Sequence, residues 1–222
     1  MITERHDHYG SASRLTVVAH LSGVLSIVLM LIWLLHYREG MNYSSDNAFR
    51  VFNVHPFLMV FGFIFFSGEA MMAYKTVRVE RTAQKTVHML LHLTAFVLGV
   101  IGLCAVFKFH DMQQLEDMNS LHSWIGIGTI SLFGCQWLFG FFTYMVGGAS
   151  MSTKLRMMPW HISGGRIILF MAVCTALTGL MQKSVFLQLQ HGREARLVNF
   201  LAIFILLFGV FVELSVSLAH YV

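Results

Sequence analysis

The sequence predicts an all-α integral membrane protein of six transmembrane helices, and three observations predict it. Hydrophobic residues make up 56% of the chain and charged residues only 12%, a balance found in membrane proteins. Six apolar runs, at 15–37, 51–74, 86–107, 121–146, 162–180 and 197–220, are each near or above the ~20 residues that cross a ~30 Å hydrocarbon layer. None of them alternates as a barrel strand does, and only helices or closed barrels satisfy their backbone in lipid. The connecting segments are too short for a soluble domain, so residues 1–222 read as one transmembrane domain.

The segment 1–14 is polar, carries His6 and His8, and reads as a loose tail. The first run is longer than the 7–15 apolar residues of a signal peptide and lacks a small-x-small cleavage site. The 75–85 link carries Lys75, Arg78, Arg81 and Lys85 against one Glu80. Short basic loops stay cytoplasmic, so this link places both termini inside, and nothing marks which membrane holds the protein. Cys104, Cys135 and Cys174 lie inside apolar runs and read as buried small hydrophobes.

Histidine is costly in lipid and marks function or a partner. Chain direction gives the depth of each one. His55 enters the second run from outside and His122 opens the fourth at the outer face. His88 opens the third run at the inner face, and His161 stands at the inner end of the fifth. The four sort into an outer pair, His55 with His122, and an inner pair, His88 with His161. Two neutral imidazoles on facing helices suit a six-coordinate haem iron, so the arrangement predicts two haems in the core of helices 2–5. Gly62, Gly99, Gly126 and Gly165 share faces with these histidines, where they leave space for a flat macrocycle or let helices pack closely. His92 lies one turn deeper than His88 on its face, as a hydrogen-bonding neighbour or alternative ligand. His20, His36, His191 and His220 read as structural or surface residues. Glu69 and Arg166 match in depth and are expected to pair, directly or through a haem propionate.

At this point the motifs resemble the eukaryotic cytochrome b561 family of transmembrane ascorbate-dependent oxidoreductases. The matching residues are Asn53-Val-His55-Pro56, Gly68-Glu-Ala-Met-Met-Ala-Tyr74, Lys85-x-x-His88-x-x-x-His92, Phe107-Lys-x-His110, Ser120-Leu-His-Ser-Trp124, Gln136-Trp137 and Pro159-x-His161. The resemblance implies two b-type haems, held by His88 with His161 and by His55 with His122. It implies electron transfer from cytoplasmic ascorbate to monodehydroascorbate or ferric chelates on the other side, often in a homodimer. It also implies an inner substrate site of Arg81, Lys85, Tyr144 and Lys154, and an outer site of Phe109, His110 and the position of Asn119. The chain departs from relatives at Asn119, where Tyr is usual, and at Arg166, where an apolar or aromatic residue is usual.

Bis-histidine ligation closes both axial positions of an iron, which favours electron transfer over oxygen binding. Ascorbate is an anion at neutral pH, and a basic inner rim attracts it. Those same charges also fix topology and meet lipid head groups. Two other readings stand beside this one: a haem subunit that passes electrons to quinone in a larger complex, and a divalent-metal transporter. The transporter would cluster polar ligands at the midplane on broken helices, whereas these histidines lie near the faces. Nucleic acid is not an expected partner.

Overall fold

The computed structural model describes the backbone of residues 2–220 and the side chains of residues 14–218. Six helices are long and apolar enough to cross a membrane. They are α1 (Arg14–Tyr37), α2 (Ala48–Thr76), α3 (Arg81–Gln113), α4 (Leu121–Met145), α5 (Met151–Phe186) and α6 (Arg193–Leu218). No strand occurs among the described residues, and the chain is a multi-pass integral membrane protein. With six spans, the start of α1 and the end of α6 lie at one end of the bundle, called here the proximal end; the opposite end is distal.

The helices outrun the apolar runs, because a helix continues until its end groups are capped rather than until hydropathy falls. The Ser150 side chain accepts from Thr153 N–H and starts α5 at Met151, so Lys154 and Arg156 stand on helical turns rather than in a link. The Ser120 side chain accepts from Ser123 N–H at the start of α4, which puts His122 in its first turn. At the other end of α3, the helix carries Lys108 and His110 and stops at Gln114, whose φ is +53°. The backbone is helical back to Ile2, which corrects the expected loose tail. The side chains of His6, His8 and His220 lie outside the described residues.

Wide π-type turns occupy Trp33–Tyr37, Leu58–Phe65 and Phe141–Met145. The second follows Pro56, which has no N–H to give to the helix. These turns rotate the faces that follow them, a shift invisible to hydropathy.

α1 packs along α6, burying Met30, Trp33, Leu34, Leu201, Ile205 and Phe208. α2 packs on α3, and α4 on α5. Polar side chains fix these elements at their ends. Asn53 donates to the carbonyls of Arg38 and Gly40 (2.7 and 2.8 Å), tying the α1–α2 link to the turn before His55. Glu194 accepts from Trp33 Nε1 (2.8 Å) and from Arg38 Nε (2.6 Å), joining α6 to α1. Lys75 Nζ donates to the Ser215 carbonyl (2.7 Å).

Two expectations are corrected. Glu69 and Arg166 do not pair directly. Glu69 meets His20 of α1 (2.8 Å), while Arg166 meets Glu213 and Ser217 of α6. The two share a depth but face different neighbours, and depth alone carries no information about rotation. His20, read as structural or surface, makes a structural contact between α1 and α2. All three cysteines are free, but Cys104 and Cys135 are exposed rather than buried.

Candidate functional site

α2 and α4 bring His55 and His122 together near the distal end, with ring centres 6.1 Å apart. α3 and α5 bring His88 and His161 together nearer the proximal end, with ring centres 6.2 Å apart. A metal–imidazole bond is about 2 Å, and Nε2 stands roughly one further ångström ahead of the ring centre, so two imidazoles on opposite sides of one metal have centres about 6 Å apart. Both pairs meet that spacing.

The ring nitrogens are oriented for the same purpose. His55 Nδ1 lies 3.0 Å from the Gly102 carbonyl, His122 Nδ1 2.9 Å from that of Thr175, and His88 Nδ1 2.8 Å from that of Ala70. A carbonyl only accepts, so in each contact Nδ1 carries the proton and the Nε2 lone pair is left for a metal. His161 differs: its Nδ1 faces the Gln136 carboxamide at 3.1 Å. Among the described residues no group of three or more His, Cys, Asp or Glu is placed to hold a metal ion, and the four candidate ligands stand as two pairs. The donor set fits bis-imidazole haem ligation.

Glycines clear the space beside two of the rings. A Cβ at Gly179 would come within 2.6 Å of His122 Cε1, and one at Gly140 within 2.8 Å of His161 Cε1. Neither was singled out in the sequence, since each belongs to the helix facing the histidine it serves. Of the four that were, Gly126 and Gly165 would place a Cβ in ordinary contact, 3.4 Å from Thr175 and 3.8 Å from Gln136. Gly62 and Gly99 instead admit Leu98 and Phe63, so they serve helix packing.

His92 stands edge-on to His88 (4.6 Å) and against Phe133 (5.5 Å), and its buried Nδ1 has no hydrogen-bond partner. It has the position of a neighbour to the pair, with His88 facing His161. Phe63, Phe96 and Phe133 pack together in the same interior, with the Phe63 and Phe133 rings 4.8 Å apart.

At the proximal end, Arg81 lies over the Tyr74 ring (5.3 Å), which in turn lies 5.3 Å from the His88 ring. Lys85 Nζ donates to the Tyr144 carbonyl (3.4 Å), Tyr144 Oη donates to the Lys154 carbonyl (3.3 Å), and the Tyr144 ring is 5.3 Å from His161. The four residues expected at an inner site thus border one histidine pair. Tyr74, which joins Arg81 to His88, was part of a quoted motif but had been given no role.

At the distal end, Phe109 is buried against Phe49 and Phe52 and lies 5.8 Å from His110. Asp117 holds His110 Nδ1 at 2.6 Å. Asn119 is exposed, and its side chain donates to the Glu116 carbonyl (3.5 Å), within its own loop. Sequence reading missed Lys183 here. Its Nζ lies 3.8 Å from the Phe52 ring centre and 5.8 Å from that of Phe49, and Phe52 lies 6.3 Å from the His55 ring. Among the described residues no carboxylate pairs with it. Its place in the last turn of α5 reads as a topology charge, and only the fold sets it over the aromatic cluster.

A family model described as eukaryotic cytochrome b561 matches residues 54–187. The chain is 40% identical over 211 residues to transmembrane ascorbate ferrireductase 1 of Arabidopsis thaliana, covering 93% of this chain and 88% of that protein. It is 44% identical over 205 residues to transmembrane ascorbate ferrireductase 2 of the same plant, covering 90% and 89%. It is 35% identical over 209 residues to the plasma membrane ascorbate-dependent reductase CYBRD1 of Xenopus laevis, covering 90% of this chain and 73% of that protein. With its paired histidines at both ends of a six-helix bundle, the chain belongs to the eukaryotic cytochrome b561 family, a family of haem-binding membrane proteins.

Proposed function

We propose that the protein is a transmembrane ascorbate-dependent oxidoreductase with two b-type haems. One is held by His88 and His161, the other by His55 and His122. The observation that carries this reading is the two imidazole pairs near opposite ends of the bundle, with ring centres 6.2 and 6.1 Å apart. Relatives 40–44% identical are named ascorbate ferrireductases, which supports both the donor and the reaction class. The proximal end is cytoplasmic, because the short basic 75–85 link lies there.

Haem supplies the one-electron chemistry when bound. The chain's own residues place it and select its partners. The backbone carbonyls of Gly102, Ala70 and Thr175 fix the tautomer and direction of three ligands. Arg81, Lys85 and Lys154 give the cytoplasmic mouth positive charge for the ascorbate anion, and Tyr144 bridges α3 and α5 beside it. On the other side, Phe109, His110 and Lys183, with Asn119 at the edge, receive monodehydroascorbate or a ferric chelate. A homodimer completes the proposal.

The test uses purified protein and sealed vesicles loaded with ascorbate. The expected result is two b-type components per chain, ascorbate-reducible, with reduction of an external ferric chelate. His55→Ala or His122→Ala should remove one component, and His88→Ala or His161→Ala the other. Folded protein without haem absorbance would overturn the proposal.

A further inference from the structure

Gln136 sits where the other candidate ligands have only backbone. Three of the four histidines give Nδ1–H to a main-chain carbonyl, a partner that a side-chain substitution does not replace. The fourth, His161, meets the Gln136 carboxamide. Gln136 Nε2 lies 3.1 Å from His161 Nδ1 and also donates to the His161 carbonyl at 2.6 Å. α4 is oriented for this contact by the next residue, since Trp137 Nε1 donates to the Met89 carbonyl of α3 (3.1 Å).

A carboxamide has one donor end and one acceptor end. With its nitrogen toward the ring, it needs a lone pair on Nδ1, which leaves the His161 proton on Nε2, the atom a metal needs. Ligation through Nε2 puts the proton on Nδ1, and Gln136 then has to present its oxygen to the ring. Turning the amide gives up the bond to the His161 carbonyl. His161 therefore has a partner that must change orientation, while His55, His88 and His122 have fixed ones. Gln136 lines a groove of about 320 Å³ between α4 and α5, and a Cβ at Gly164 would stand 3.0 Å from Gln136 Oε1.

We infer that Gln136 is a positioning residue that sets the electron affinity of the His88/His161 site through the hydrogen bond it offers His161 Nδ1, leaving the His55/His122 site untouched. This rests on the haem reading above. A stronger acceptor at Nδ1 makes the imidazole a better donor to iron and favours the oxidised state; a missing acceptor does the reverse.

The test is a spectroelectrochemical titration of the purified two-haem protein and its variants. Gln136→Glu, the stronger acceptor, should lower the midpoint of the proximal haem. Gln136→Leu should raise it, and Gln136→Asn, an amide too short to reach, should also raise it. Each change is expected to be about tenfold in the reduction equilibrium, which is about 59 mV for one electron. The distal haem should hold its midpoint. If Gln136→Leu loses the proximal haem, Gln136→Glu and Gln136→Asn still decide the question by moving in opposite directions. Two haems whose midpoints stay unmoved, or shift together in all variants, overturn the role of Gln136 and leave the haem reading standing. Failure to find two haems in the unmodified protein sinks the haem reading itself.

Discussion

Arg166 Nε donates to Glu213 Oε2 at 3.0 Å, and the guanidinium also reaches Glu213 Oε1 and the Ser217 hydroxyl (2.9 Å), linking α5 to α6 within the membrane-spanning part of the bundle. Both side chains are over a third exposed along this surface (38% and 36%). An unpaired charge at the centre of a membrane helix costs about 2.5–3.5 kcal/mol and less toward its ends, a cost the pair largely offsets. Arg166→Met and Glu213→Gln should each destabilise by about 2 kcal/mol in denaturant titrations in bicelles. The double variant should recover more than half of the summed loss. Strict additivity would show that the two residues do not cooperate.

Gly179 is the most restrictive contact of the distal pair, since a Cβ there meets His122 Cε1 at 2.6 Å. Gly179→Val should push the imidazole off its axis and remove the distal haem while sparing the proximal one. The haem-to-protein ratio should fall from two toward one. A folded variant with an undiminished ratio would contradict the packing argument.

Lys85 and Arg81 border the His88/His161 pair through Tyr144 and Tyr74. Lys85→Ala should raise the ascorbate concentration for half-maximal reduction of the proximal haem about tenfold, a change of about 1.4 kcal/mol. Haem content should stay normal, and a small uncharged reductant should work as before. An unchanged ascorbate dependence in the Lys85→Ala, Arg81→Ala double variant would eliminate the site.

Lys183 holds its charge over Phe52 beside the distal pair. A cation so placed attracts an anionic acceptor, and replacing it should weaken that attraction. Lys183→Met should raise KM for an anionic ferric chelate about tenfold, by the conversion of about 1.4 kcal/mol per tenfold. A neutral acceptor should be unaffected, and Lys183→Arg should restore most of the loss. Equal effects on charged and neutral acceptors would assign Lys183 a structural role instead.

Sequence alone determined the six spans, because lipid thickness and backbone satisfaction leave few alternatives to long apolar helices. It also ordered His55, His122, His88 and His161 into two depth-matched sets, since chain direction and residue count fix depth along a straight helix. Rotation and lateral neighbours are different quantities. They depend on where helices are capped, where π-type turns shift a face, and which helix lies alongside. Tertiary structure therefore decided that Glu69 turns to His20 while Arg166 turns to Glu213, and that Gly140 and Gly179 rather than Gly62 and Gly99 admit the imidazoles. It also aimed Gln136 at His161 and set Lys183 above Phe52. Each of these joins residues on separate helices by less than the width of a side chain, a distance that no spacing within one helix encodes.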